Sequence, residues 1–286
     1  MNADAERKIA GNRDVVDFVL FVALAFLITW GSGTVLVLST HAGMVNGARV
    51  LPTAIPLPIA VAIVLQMLGA FGPLLAAFGV TAFRRGRPGV RSLLRQFKRW
   101  RVPPIWYAIA FLGPAFLGLV ALCIDALTGR ATPSRWLLLP RPILFVGWAV
   151  GPWGEEWGWR GFGQPTLQRR IGALGAAISV GTAWSLWHYW PVFTPAGGSM
   201  KELVSAPFGL WLVYEIANST IMAWLYNSTG GSLPIAWAAH VGLSLGQNLV
   251  NSHPIPFGPF VIVFVLAAIA VVLAYGPIDL ASDRTA

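Results

Sequence analysis

Long apolar runs alternate with short polar segments along this chain, and the runs set its architecture. About 20 apolar residues cross a hydrocarbon core roughly 30 Å thick as an α-helix. Runs of that kind lie near 15–38, 57–83, 105–127, 143–162, 172–193, 204–226, 232–250 and 257–275. They predict an all-α fold, a polytopic membrane helical bundle of about eight transmembrane helices, forming a single domain over 15–275 between short tails at 1–14 and 276–286. Glycine, proline and charge interrupt the fourth and fifth runs, which makes their ends the least sharply drawn. No repeat of fixed period, long linker or low-complexity tract breaks the series. The first run is too long for the core of a signal peptide and no clear cleavage site follows it, so it reads as a retained span.

Composition agrees with this picture and narrows the partners. Of 286 residues, 56% are hydrophobic and 11% charged, with a mean hydropathy of +0.66. A soluble domain carries about a quarter charged residues. The net charge of +9 is concentrated in particular segments, so topology accounts for it and no nucleic-acid partner is expected. The segment 84–101 holds Arg84, Arg85, Arg87, Arg91, Arg95, Lys98, Arg99 and Arg101 without an acid. Placing this loop in the cytoplasm, as the lysine and arginine bias of membrane proteins requires, puts both termini inside. Inside segments then carry 15 basic residues against five outside, at Arg49, Arg130, Arg135, Arg141 and Lys201. An N-in, C-in protein of the prokaryotic plasma membrane follows, with the bilayer as its first partner. The basic loop can also rest on anionic lipid headgroups. Cys123 is the single cysteine, which excludes an intrachain disulfide and a cysteine-based zinc cluster.

The polar residues inside the spans form a short set, and each must face the bundle or a water-filled cavity, since lipid satisfies none of them. They are Glu155, Glu156 and Arg160 in the fourth span, His188 in the fifth, Glu215 and Asn218 in the sixth, and His240, Ser244, Gln247 and Asn248 in the seventh. Only eleven acidic residues occur in the chain, and two of them stand side by side at hydrocarbon depth. Glu156 and Arg160 are spaced i, i+4 and can pair on one helical face. Glu155 points about 100° away, and an arginine committed to one glutamate leaves the other to serve as a general base. At 1.5 Å per residue, Glu155, His188 and His240 lie about 10–25 Å from the cytoplasmic ends of their spans. Two glutamates and two histidines at overlapping depth can form an acid–base pair with an oxyanion partner, or a metal site. Asn218 reads as a hydrogen-bonding residue between helices. Glu215, three positions before it, either lines the same cavity or bonds a neighbouring helix. His41 and His253 read as ordinary surface residues beside glycine or proline. Trp153, Trp157, Trp159, Trp184, Trp187 and Trp190 either wall a cavity for an apolar substrate or simply pack.

Taken together, these residues resemble the CPBP intramembrane proteases, a family that includes type II CAAX prenyl endopeptidases and bacteriocin-processing or immunity proteins. The family's Glu-Glu-x-x-x-Arg motif is matched by Glu155, Glu156 and Arg160, followed by Gly161. Its Phe-x-x-x-His motif is matched by Trp184 and His188, with one aromatic replacing another. Its His-x-x-x-Asn or Asp motif is matched at His240, after the lead-in Thr229-Gly-Gly-Ser-Leu-Pro. The fourth residue after that histidine is Ser244, a departure from the pattern, and Asn248 lies a further turn on. The motifs span about 150–250, inside a protease-like core at 143–250.

The resemblance implies hydrolysis of a peptide bond in a membrane-associated peptide or protein, at a site open to the cytoplasm. Glu155 with His188 would activate a water. His240 with Ser244 or Asn248 would stabilise the oxyanion, and Glu156 with Arg160 would hold the first carboxylate in place. Zinc or another divalent metal on Glu155, His188 and His240 is compatible with these residue types, and so is a metal-free glutamate mechanism. A non-catalytic membrane scaffold or bacteriocin-immunity factor that retains the site is the alternative reading, and a proton-coupled transporter is the third. No pair of broken helices with internal repeat symmetry supports the transporter.

Overall fold

The computed structural model describes residues 3–39, 58–129, 142–188, 206–251 and 257–282. His41, Arg49, Arg130, Arg135, Arg141, Trp190, Lys201, His253 and Arg284 fall outside this set. Among the described residues the chain is all helical, with no strand. The elements are α1 (Ala3–Ser39), α2 (Ile59–Ala70), α3 (Gly72–Phe97), α4 (Pro104–Leu127), α5 (Pro142–Gly158), a π-turn (Trp159–Gly163), α6 (Gln164–Trp187), α7 (Ala206–Ser228), α8 (Leu233–Asn251) and α9 (Phe257–Tyr275). Stretches of three helices, Arg13–Val35, Pro104–Leu127 and Gly258–Tyr275, are long and apolar enough to cross a membrane, and α2 with α3 makes a fourth if the bent pair is one span. Leu27, Leu127 and Leu273 stand exposed on the outside of the bundle. That arrangement suits a lipid surround, which needs no polar outer face, and the protein is an integral membrane protein.

Helices held together without a hydrophobic driving force pack through small residues, and the tightest seams here are glycine seams. A Cβ on Gly118 of α4 would come within 2.9 Å of the Gly246 carbonyl on α8. One on Gly181 of α6 would meet Ile216 and the Glu215 carbonyl of α7 at 2.8 and 2.9 Å. The second seam brings the helix carrying His188 against the helix carrying Glu215 and Asn218.

Two segments differ from the sequence expectation. The apolar run 57–83 is not one straight span: α2 and α3 meet at Phe71 with a bend of 64°. Pro73 at the start of α3 has no amide hydrogen to carry α2 onward, and so favours a fresh helix start. The basic segment 84–101 is not a loop over most of its length, since α3 runs through it to Phe97. Its one interruption is Gly86, whose φ of 60° is open to glycine at little cost. Beyond Gly86, Leu93 turns inward while Arg91 and Arg95 stay exposed, an amphipathic pattern.

Ion pairs gather the basic segments at one end of the bundle. Asp17, buried in α1, accepts from Arg84 at 2.7 Å and Arg85 at 3.1 Å, and Asp14 accepts from Arg169 of α6 at 2.8 Å. The C-terminal residues are packed rather than trailing. At the break in α6, where Gly172 has φ 74°, the amides of Ala173 and Leu174 donate to the carbonyls of Ile278 and Pro277 at 2.7 and 2.9 Å. Leu280 is fully buried beneath them.

Candidate active site

The site is built around one irregular turn. As α5 ends, the helix widens into the π-turn at Trp159–Gly163, directly after the glutamate pair and including Arg160. Such turns are rare and collect at functional sites. Gly154 and Gly158, one turn apart on α5, let this region press onto the α2–α3 bend. A Cβ on Gly154 would reach 2.7 Å from the Ala70 carbonyl, and one on Gly158 would come within 2.6 Å of the Pro73 side chain. The π-turn is latched from outside. Gln96 of α3 donates to the Gly161 carbonyl at 2.9 Å and accepts from the Tyr226 hydroxyl at 2.6 Å. A carbonyl left over by the widened turn thereby gains a partner.

Adjacent in sequence, the two glutamates face different surroundings. Glu156 is 1% exposed and points into the sealed side. Its Oε1 lies 3.2 Å from Arg160 Nη1 and 2.7 Å from His240 Nδ1, while the guanidinium stacks over the Trp184 ring at 4.4 Å. One carboxylate oxygen and a ring face compensate a cation that is itself 1% exposed. Removing one partner of a buried pair leaves an uncompensated charge, at a cost of about 3–5 kcal/mol.

Glu155 faces the other way. It lines a cavity of about 240 Å³ together with Trp187 and His188 of the α6 end, Thr29 and Gly33 of α1, and Leu65, Gln66, Gly69 and Ala70 of α2. Its Oε2 accepts from the Trp184 indole at 2.7 Å, a charge-assisted bond that fixes the carboxylate while Oε1 stays available. His188 Nδ1 lies 3.0 Å from the Trp184 carbonyl. A carbonyl only accepts, so Nδ1 carries the proton and Nε2 keeps its lone pair in the neutral ring. Trp184, Trp187 and Trp211 surround the imidazole with centroids 5.6, 4.9 and 5.8 Å away. The cavity therefore holds a carboxylate oxygen and an imidazole nitrogen, both oriented from one tryptophan.

The residues singled out in the sequence thus fall into two groups, Glu155 with His188 at the cavity and Glu156 with Arg160 and His240 behind it. Ser244 stands apart: its hydroxyl donates to the His240 carbonyl of its own helix at 3.1 Å. Asn248 and Gln247 lie on α8, and their side chains are outside the described residues. Glu215 and Asn218 are buried on α7 with their side chains interacting with each other, while Glu215 Oε2 lacks a hydrogen-bond partner. Glu215 is close enough to Arg160, Glu155 and Glu156 to interact with their charges.

The metal alternative names Glu155, His188 and His240 as ligands. Among the described residues no three His, Cys, Asp or Glu side chains group as ligands for one ion. The indole holds Glu155 Oε2, and Glu156 holds His240 Nδ1. Sequence reasoning missed the indole bond, the Glu156–His240 link and the wall supplied by α1 and α2. A signal existed for the wall, because Gln66 is the single polar side chain in α2.

Residues 137–246 match the family described as Rce1-like, type II CAAX prenyl endopeptidase. A CAAX prenyl protease 2 from Methanococcus maripaludis is 29% identical over 112 residues, 38% of this chain. That stretch spans 41% of the relative's own length. The resemblance read from the three motifs is borne out over this segment, which contains every motif residue from Glu155 to Ser244. Helices α1 to α4, including Thr29 and Gln66 of the cavity wall, lie outside it.

Proposed function

We propose that this chain, with its Rce1-like segment at 137–246, is an intramembrane endopeptidase that cleaves a membrane-associated peptide or protein with a glutamate-activated water. One observation carries the reading: Glu155 and His188 share a cavity while Glu156, Arg160 and His240 are locked together behind it. A water between Glu155 Oε1 and His188 Nε2 would give a proton to the carboxylate as its oxygen attacks the scissile carbonyl. The same proton would pass to the leaving amine as the tetrahedral intermediate collapses. His240 is held at Nδ1 by Glu156, which fixes the orientation of its ring. The donor set gives no reason to route a step through a metal. The supporting frame is an eight-span, N-in, C-in bundle with its site open to the cytoplasm of a prokaryotic cell, and the gathering of Arg84, Arg85 and Arg169 at one end favours it. The substrate need not be prenylated.

The spent hydroxyl of Ser244 favours one competing reading, a scaffold or immunity factor that keeps the site without using it. The test is cleavage of internally quenched peptides, one farnesylated and one an unprenylated membrane-spanning segment, by purified protein in nanodiscs. Glu155→Gln and His188→Ala should each abolish turnover while leaving the fold intact, and His240→Ala should abolish turnover with some loss of stability. Retained cleavage in all three variants, or none by the wild type, would overturn the reading. Chelation by EDTA should change the rate by less than about twofold, and rescue of a chelated, inactive enzyme by zinc would restore the metal mechanism.

A further inference from the structure

A carboxylate that activates water needs a partner across the cavity, where charge develops on the carbonyl oxygen. The expectation from sequence assigns that role to His240 with Ser244 or Asn248; the Ser244 hydroxyl directs its hydrogen to its own helix, and the Asn248 side chain lies outside the described residues. Another part of the cavity lining comes from α2, whose sequence Ile-Ala-Val-Ala-Ile-Val-Leu-Gln-Met-Leu-Gly-Ala contains one polar side chain, Gln66. Leu65, Gln66, Gly69 and Ala70 line the cavity and share one face of that helix, at i, i+1, i+4 and i+5.

The wall itself is fixed. Thr29 of α1 donates to the Gly69 carbonyl at 2.9 Å, and the Ala70 carbonyl abuts Gly154, the residue before Glu155. Gln66 sits about one turn, roughly 6 Å, along α2 from that contact. No hydrogen bond engages its amide among the described residues, and it is exposed. As an exposed amide without a protein partner on a helix face that lines the cavity, it is open to bond whatever the cavity holds.

We propose that Gln66 is a catalytic residue of this site, its side-chain amide donating to the oxygen of the scissile carbonyl while the water held by Glu155 and His188 attacks the carbonyl carbon. The inference rests on the endopeptidase reading and deepens it. Glu155 and His188 supply the nucleophile from the α5–α6 wall, and Gln66 supplies from α2 the donor that position 244 does not. The amide transfers no proton to the oxyanion; it donates a hydrogen bond as negative charge builds and relaxes it on collapse.

The experiment compares wild type with Gln66→Met, Gln66→Asn and Ser244→Ala on the farnesylated and unprenylated quenched peptides in nanodiscs. Methionine keeps the shape of glutamine and removes the donor. Removing one oxyanion donor costs about 10²–10³ in kcat, so Gln66→Met should lose kcat on that scale with KM within about twofold. Gln66→Asn should recover part of the loss, and Ser244→Ala should lose far less kcat than Gln66→Met. Thermal unfolding should be unchanged in Gln66→Met, since an exposed lipid-compatible side chain replaces a polar one. A parallel measurement follows binding of a phosphinic peptide, a mimic of the tetrahedral intermediate, which Gln66→Met should weaken far more than it weakens the uncleaved peptide in a Glu155→Gln background. Full kcat in Gln66→Met, or a rise in KM alone, overturns the role of Gln66 and leaves the endopeptidase reading standing. A large kcat loss in Ser244→Ala with Gln66→Met active moves the donor to α8. A wild type that neither cleaves nor binds the mimic removes both proposals together.

Discussion

Glu155 and Glu156 are neighbours in the same helical turn, yet one borders a cavity and the other is sealed in with an arginine and a histidine. The difference is rotation: about 100° per residue sends successive side chains to different partners. On the cavity side a single indole bond leaves one carboxylate oxygen available. On the sealed side two partners converge on one oxygen, and the geometry depends on charge balance. A pair of identical residues can therefore divide into a reagent and a support, and substitutions at the two positions should fail in different ways.

The largest effect belongs to the cavity side. Glu155→Gln keeps an oxygen that can accept the Trp184 indole but removes the base, so turnover should fall about 10³-fold or more, with thermal unfolding close to wild type. Peptide cleavage and a melting curve on the same preparation check both halves. Glu156→Gln should do the reverse in its primary effect. It strips the charge that balances Arg160, and stability should drop by about 3–5 kcal/mol, seen as a lower unfolding temperature, with activity lost as a consequence. Equal loss of stability in both variants would dissolve the contrast.

A smaller effect tests what holds the two sides in place. Gly154→Ala would force a Cβ against the Ala70 carbonyl. Overpacking of this kind costs about 1–3 kcal/mol, and it should push α2 away from Glu155, lowering both stability and turnover. Comparable in energy is Trp184→Phe, which installs the residue expected at that motif position and keeps the ring under the Arg160 guanidinium. Losing a hydrogen bond to a charged group is worth about 1.5–3 kcal/mol. The cost should appear as a drop of about 10- to 150-fold in kcat and not as unfolding.

How much of this was legible depended on where each signal resided. The glutamate pair, Arg160 and the two histidines stood out because ionisable groups are expensive in an apolar run, and the i, i+4 spacing of Glu156 and Arg160 fixed their pairing. The bend at Phe71 was harder to see because the run 57–83 is apolar throughout, and hydropathy does not register direction; Gly72-Pro73 was the local clue. The basic segment 84–101 reads as a loop when charge is counted and as a helix when Leu93 is seen facing inward between Arg91 and Arg95. Contacts between helices carry no local trace at all. Nothing in the neighbourhood of Trp184 announces that its indole meets Glu155, 29 positions earlier, or that His240 reaches Glu156 across 84.

Glu215 is the sharpest remaining test of how far the sealed side extends. It is buried beside the arginine and both glutamates, with one oxygen unpartnered, yet Arg160 makes its direct bond to Glu156 and none to Glu215. If charge balance on the sealed side rests on Glu156 alone, Glu215→Gln removes attraction to Arg160 and repulsion from two glutamates at once. The two changes oppose each other. Stability should then move by less than about 1 kcal/mol, within the range of substitutions that break no specific bond, and cleavage should stay within about threefold of wild type. A loss as large as that of Glu156→Gln would mean that the arginine is shared between two carboxylates on different helices. The sealed side would then be a three-membered network reaching into α7, and the division between reagent and support would run between helices instead of between neighbours on one turn.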